Sequence, residues 1–527
     1  MKKEFDQCIS DIRGMAGVKK WLPVFIICMG AGIFAYSLLM THQLVNQLDG
    51  LWHGSVSYAN GHELSIGRWF WRFIDRWRFY LSPDPVTSVI SLALFVSGFI
   101  LLLEVLDIKS RPAAVISTLL FTVNSSVLVS LSYRYMSPTF ALSFFFAVLA
   151  AFIIIRCKGR LLAFTAAPLA VALMMGLYQA DIGCTCLVLL LYISLCLYRN
   201  DRSLKELGLF IVRCFISLLL GGILYVILLN INLRVYDVKM DSYNGADSYG
   251  PAGMLLNLPS SIKHAYGNFF DYYEQIIINT DMFSGRLYIV IFALLVLCFV
   301  YAAVRVFRNN KTGAVLFVLS LVLIPVAADM VCLMAYDAFV SPQMTIPVSM
   351  CLPALVCLAS KADLPKLRGT VLCRAALGIV LAIQLYGSYI MTVYDQQAMY
   401  MGRLSVTEIS RQVITELEKE GLYGMDRRYV FVGSPSENPL FVKNDVFAKA
   451  DGYATFGTWT PTDTRWVVQS WKGFFTHEMG INLPVAGDEV LEAALQDDTV
   501  RAMPVFPAAG SIAEVNGVVV IKLAGEY

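Results

Sequence analysis

The sequence predicts a polytopic α-helical membrane protein of about eleven transmembrane helices, ending in a small C-terminal extracytoplasmic α/β domain. Three observations carry that prediction. Only 15% of the 527 residues are charged and 57% are hydrophobic, whereas a soluble chain carries about a quarter charged residues. Mean hydropathy is +0.63. The charges fall in short runs between apolar stretches long enough to cross about 30 Å of hydrocarbon. Backbone polar groups must be paired in lipid, which leaves helices or a closed barrel. Continuous apolar runs, without period-two alternation, select helices. The net charge of +2, with no basic run, gives no sign of a nucleic-acid partner.

Apolar segments lie near 21–40, 86–106, 113–132, 138–155, 161–177, 182–198, 207–230, 286–304, 313–335, 344–360 and 370–392. The first, Trp21 to Met40, is of spanning length and follows a mixed charged segment, so it reads as a retained span and not as a cleaved signal. Basic residues concentrate in alternate short loops, including Lys19/Lys20, Lys109/Arg111, Arg156, Arg199/Arg202, Arg305/Arg308 and Lys361. That asymmetry places the amino terminus (1–20) in the cytoplasm. An odd number of spans places the tail outside. The expected organisation is a membrane domain at 21–392, with outer loops 41–85 and 231–285, and an outer tail at 393–527, in a multi-pass protein of the cytoplasmic membrane. None of the twelve Cys lies beyond Cys373, so the tail holds no internal disulfide, and Cys184/Cys186 reads as packing.

The loop 41–85 holds four of the eight Trp and three of the five His. Its stretch Gly67–Leu81 suits a helix in the membrane interface. Arg68, Arg72, Asp75 and Arg76 recur on one side, with Trp69, Phe73, Trp77 and Tyr80 on another. Either this helix anchors the fold, or Arg68 or Arg72 also meets a lipid phosphate. The loop 231–285 is rich in Tyr, Asn and Asp, side chains suited to sugar hydroxyls but equally to a solvated loop, and an amphipathic segment follows near Ser260–Ile277. In the tail, Leu404–Leu422 has helical periodicity and Arg428–Gly433 reads as a strand. Asp463–Phe475 and Gly487–Leu495 suit helices. Ser511–Val515 and Val518–Leu523 flank the hairpin signal Asn516-Gly517.

Asp49 is the first acid after the first span. Partial desolvation at that depth raises a carboxyl pKa and suits it to general-base work; the plainer alternative is a solvated loop acid. A metal site from His42, His53, His62, Asp49 and Glu63 lacks the short spacings such sites use, and none is assigned.

The Asp49 loop, Gly67-Arg68-Trp69 before the second span, and Gly176-Leu177-Tyr178-Gln179 at the end of the fifth carry a resemblance. On these motifs the chain resembles the GT-C class of polyprenyl-phosphate-sugar-dependent membrane glycosyltransferases. It looks most like the serotype-converting glucosyltransferases that decorate O-antigen. The similarity extends from about residue 20 to 420 and covers the tail poorly. It implies inverting transfer of a sugar, glucose in that family, from a polyprenyl-phosphate-linked donor to a surface glycan acceptor, with no cofactor. A small flippase and a donor synthase are the companions it admits. The implied base is Asp49. GT-C enzymes often pair two acids here, and this chain has one, so Glu63 and Asp75 stay open as alternatives. Arg68 and Arg134 are candidates to meet the leaving phosphate, with cation–π or anchoring roles as the alternative. Tyr178, Gln179 and Asp181 either bind sugar hydroxyls or cap helices. A rival reading is a polysaccharide polymerase, ligase or lipid-linked-glycan transporter. A transporter would place ionisable residues in midspan and show inverted repeats; only Asp329 approaches that position, and no repeat is evident.

Overall fold

The computed structural model describes residues 18–157, 160–241, 256–278, 283–335, 340–361, 368–459 and 463–525. It is 73% helical, and by length and hydropathy the chain is a multi-pass membrane protein. Seven helices qualify as spans among the described residues: Val86–Val105, Ser137–Arg156, Gln179–Arg199, Leu204–Val235, Arg286–Asn309, Pro342–Ala359 and Ala375–Lys419. An eighth is added if Arg111–Thr122 and Ser125–Ser132, bent by 48°, count as one. Lys20–Ala35, Ala166–Leu177 and Lys311–Val322 are apolar but shorter. The Tyr-rich stretch 242–255 and residues 1–17 lie outside the described residues.

Local chemistry explains the breaks. At the bend after Thr122, the Asn124 side chain accepts from Val127 N and caps the second piece. The Tyr36 hydroxyl donates to the Thr122 carbonyl at 2.7 Å and accepts from Asn124 N at 3.1 Å, which meets the demand for internal pairing in lipid. The segment expected at 313–335 is broken into Lys311–Val322, Ile324–Ala328 and Val331–Met334. Pro325 near the first break has no N–H to continue a helix. The first helix also breaks, at Tyr36, between Val18–Ala35 and Ser37–His42. There the buried Gln396 side chain inserts into the ladder, accepting from Leu39 N at 3.0 Å and donating to Ala35 O at 2.8 Å.

The bundle core is aromatic at its centre, where Phe121 stacks on both Phe99 and Phe144 with centroids 5.0 Å apart. One end of the bundle gathers the basic residues. Glu104 accepts from Lys20 and Trp21, and Asp107 pairs with Arg199 at 3.1 Å and Lys361 at 3.6 Å. The loop 41–85, the Tyr133–Met136 turn and the Tyr178–Asp181 turn meet at the other end.

The last membrane segment does not stop near 392. It continues as one helix, Arg368–Lys419, straight across the boundary expected at 393 and into the tail. Three strands follow: β1 (Tyr429–Val432), β2 (Ile512–Val515) and β3 (Val518–Lys522). Their order is β1-β3-β2, with β1 parallel and β2 antiparallel to β3. Asn516 and Gly517 both have positive φ, 52° and 75°, which a two-residue hairpin turn requires. Helices Thr464–Gly473 and Asp488–Gln496 pack on the sheet, with Phe431 stacked on Trp471 at 4.1 Å.

Replacing Gln396 by Ala removes the bridge across the first helix's break and should cost about 1–3 kcal/mol. The check is the thermal unfolding midpoint in detergent, which should fall. An unchanged midpoint would mean that the broken turn re-forms its own hydrogen bond without help.

Candidate active site

The loop 41–85 is held by its own polar side chains before it meets anything else. Asn60 caps the short helix Gly61–Ser65, and the Glu63 carboxylate returns the bond to Asn60 N at 2.6 Å. This reciprocal pairing occupies Glu63, which is buried. The interfacial helix expected over 67–81 is shorter, Trp71–Trp77, and its faces differ from the expectation. Trp69, Trp71 and Asp75 are buried, while Phe73 and Trp77 are exposed. Asp75 therefore does not share a face with the exposed Arg76. Its carboxylate accepts from Ala59 N at 2.7 Å and Trp71 Nε1 at 3.1 Å, and pairs with Arg78 at 2.8 Å. Burial pushes the Asp75 carboxyl up, against the pull of Arg78 and these bonds. With its lone pairs taken up by partners, it is a structural group.

The two motifs singled out in the sequence dock against each other. Phe70 N donates to Gly176 O at 2.8 Å. Gln179 Nε2 donates to Ile66 O at 2.9 Å and lies 3.2 Å from the Tyr225 hydroxyl. The Arg68 guanidinium lies over the Tyr178 ring, 5.0 Å from its centroid. Gly67 has φ +90°, and a Cβ there would strike the Tyr225 hydroxyl and come within 2.7 Å of Gln179 Nε2. A Cβ at Gly176 would sit 2.6 Å from Trp69 Nε1. Both positions need glycine because backbone and ring meet there without room for a methyl group. Asp181 follows Gln179, is 2% exposed, and begins the next helix without a side-chain cap bond.

Asp49 opens a single helical turn, Asp49–Trp52. The Asn46 side chain sets that turn by accepting from Leu48 N at 3.1 Å and Gly50 N at 3.0 Å. Asp49 itself is half-buried. Burial pushes its carboxyl above the usual carboxylate range, while His53, Arg68 and His62 pull the other way. His53 bonds the Asp49 carbonyl through Nδ1 at 2.8 Å and stacks on the buried Tyr135 ring at 3.8 Å.

Arg134 is 6% exposed and bonds Gln43 at 3.3 Å. Among the described residues, neither Arg68, Arg72 nor Arg134 has a carboxylate within ion-pair distance, and each has a buried nitrogen without a hydrogen bond. A spare nitrogen alone does not mark a site, since Arg156 and Arg213 at the basic end have one too. Those two are anchored on neighbouring backbone, the carbonyls of Glu104 and Cys157. Arg68 and Arg72 rest instead on rings, and Arg134 on an amide.

The tail forms part of this site, which the sequence did not reveal. Val45 and Leu51 belong to the tail's hydrophobic core. Trp52 Nε1 donates to Ser470 at 3.0 Å, and Gln47 to Gly452 O at 2.8 Å. The helix Thr464–Gly473 runs into a π-helical turn, Phe474–Met479, of the kind that recurs at functional sites. It packs the His477 ring against Gly54, where a Cβ would lie 2.7 Å from Nδ1. Burial lowers the His477 pKa, with Glu478 opposing and Arg134 and His53 adding to it. The one sequence signal was that all five His fall in the two long outer loops and the tail.

A cavity of about 520 Å³ lies between the first loop and Tyr236, lined by Tyr58, Asn60, Arg72, Phe73, Arg76 and Tyr80 among others. Asp49 does not line it. Among the described residues no group of three or more His, Cys, Asp or Glu is placed to hold a metal.

Gly67→Ala should weaken the docking of the loop by about 2–4 kcal/mol, from left-handed backbone strain and overlap together. Limited proteolysis within 41–85 should then accelerate and transfer activity should fall. Wild-type protection in this variant would mean that the contact with Tyr225 and Gln179 does not hold the loop.

No individual curated protein and no solved structure matches the chain. A family model described as glucosyl transferase GtrII matches residues 54–358, from just after Asp49 through the docked motifs and the Arg134 turn to the helix that ends at Ala359. With more than half of its length in that match, the chain belongs to the glucosyl transferase GtrII family and is a membrane glycosyltransferase.

Proposed function

We propose that the protein transfers glucose from a polyprenyl-phosphate donor to a surface glycan such as O-antigen, on the outer face of the cytoplasmic membrane. The observation that carries this reading is the half-buried Asp49 carboxylate beside Arg68, His53 and His62, on a turn tied to the docked first loop. The gathering of basic residues at the opposite end of the bundle supports a cytoplasmic amino terminus and an outer tail. On this reading eleven segments cross the membrane. A flippase and a donor synthase deliver the donor to the outer leaflet, where nucleotide sugars are absent.

The reaction is a single displacement. The ionised Asp49 takes the proton of the acceptor hydroxyl as that oxygen attacks the anomeric carbon from the face opposite the phosphate. The new C–O bond forms as the bond to the phosphate oxygen breaks, and the anomeric configuration inverts. Polyprenyl phosphate leaves with the bonding pair. Arg68 and Arg134 carry no carboxylate partner of their own among the described residues, so their charge is free to meet the negative charge that develops. Tyr178, Gln179 and Asp181 line the same corner. Tyr178 sets Arg68 by stacking and Gln179 sets the loop. Glu63 and Asp75 are both engaged structurally, which favours Asp49 as the base.

Asp49→Asn should lower the transfer rate about 10²–10⁴-fold, the usual worth of a general base, as measured with polyprenyl-phosphate glucose and purified acceptor. The same variant should be more stable than wild type at neutral pH. Burial raises the folded-state pKa above the unfolded value, so this group's contribution favours folding below the unfolded pKa. That contribution is lost as pH rises through the folded value, and an amide avoids the loss. Full transfer activity in this variant would remove Asp49 as base.

A further inference from the structure

The cavity beside the interfacial helix is separate from Asp49, and its walls carry their own chemistry. Arg72 and Arg76 stand one turn apart on the helix Trp71–Trp77, hence on one face, and both line it. The Arg72 guanidinium lies over the Tyr236 ring, 3.7 Å from its centroid. One of its terminal nitrogens makes a long contact of 3.5 Å to Asn60 O, and the other is buried without a hydrogen-bond partner. Arg76 is exposed and bonds Tyr80. Among the described residues no acid lines the cavity. The helix's one acid, Asp75, is buried and paired with Arg78. Of the lining side chains, Val56, Tyr58 and Phe73 are 40–64% exposed, and Trp77 and Phe79, next in the chain to the lining Arg76 and Tyr80, are 80–81% exposed, an apolar surface suited to headgroup depth.

Two forked cations with an aromatic support and no counter-charge select a phosphate group. An apolar rim selects one carried on a lipid. We infer that this cavity binds the phosphate of a membrane lipid, held beside the reaction and not in it. The occupant cannot be in reacting position, because neither Asp49, His53 nor Arg68 lines the space. Two sources share the chemistry: the phosphodiester of an anionic phospholipid, and the phosphomonoester of an isoprenoid. The inference stands whether or not Asp49 is the base.

The test is native mass spectrometry of the full chain released from detergent, titrated separately with phosphatidylglycerol, with a polyprenyl monophosphate, with a phosphate-free glycolipid, and with inorganic phosphate. Wild type should retain one phosphate-bearing lipid and neither the glycolipid nor inorganic phosphate. Arg76→Gln, a change at an exposed position that leaves the fold alone, should weaken that retention about tenfold, the worth of one charge-assisted bond. Arg72→Gln should do at least the same. Whichever of the two lipids binds more tightly identifies the source. Equal retention of either lipid by wild type and Arg76→Gln would overturn the inference, as would binding of the glycolipid or inorganic phosphate as tight as that of the lipid phosphates. Assaying transfer by the same samples separates the two readings. An active Arg76→Gln that has lost its lipid speaks to the cavity alone.

Discussion

The structure depends on one close contact, the docking of Gly67-Arg68-Trp69 onto the corner Gly176–Gln179. A loop of some forty residues between two membrane helices has no reason to hold one conformation unless something fixes it. Here the backbone of Phe70 bonds the backbone of Gly176, and Gln179 bonds the backbone of Ile66. The two glycines let a tyrosine hydroxyl and an indole approach the main chain. Everything chemical at this end follows from that placement. Arg68 lies over Tyr178, and its charge acts on Asp49.

A second constraint comes from the far end of the chain. The tail's core takes in Val45 and Leu51, each worth roughly 1.5–3 kcal/mol when buried. The Asp49 turn is thus gripped on one side by the membrane bundle, through Asn46 and Ser132, and on the other by the tail, through Trp52, Ser470 and His477. The carboxylate held between the bundle and the tail is partly stripped of water and has no ion-pair partner among the described residues. Partial desolvation raises the basicity of a carboxylate, which suits the general-base role proposed for Asp49. Glu63 and Asp75 illustrate the contrast, since both are buried and both are already bonded.

Much of this was legible in the sequence, and the exceptions have physical reasons. Apolar runs place the helices because lipid leaves the backbone no other option. Asn516-Gly517 marks the hairpin because few residues accept two successive positive φ angles. The breaks at Thr122 and Val322 were not legible: a bent helix and a straight one carry the same apolar composition, and only Tyr36 and Pro325 in their places show where the ladder opens. Asp75 was put on the wrong face because helical spacing assigns sides but not which side meets the core, and Arg78, Ala59 and Trp71 decide that. His477 could not be joined to the Asp49 loop at all, since more than four hundred residues separate it from Gly54, on which its ring packs by shape. The motifs Gly-Arg-Trp and Tyr-Gln stand out in the sequence as carriers of the family resemblance, but that they dock on each other is visible only in the structure.

The central claim is that the loop holds Asp49 in a desolvated but ionisable state, and the pH dependence of kcat/KM for glucosyl transfer tests it most directly. Because the base must be ionised and its pKa is raised, the rate should rise with pH through a single limb lying clearly above the ordinary aspartate value of about 3.9. Gly67→Ala, which loosens the loop, should move that limb back toward the ordinary value. A limb already at the ordinary value in the wild type, or one that stays in place when Asp49 is replaced by Asn, would contradict the account.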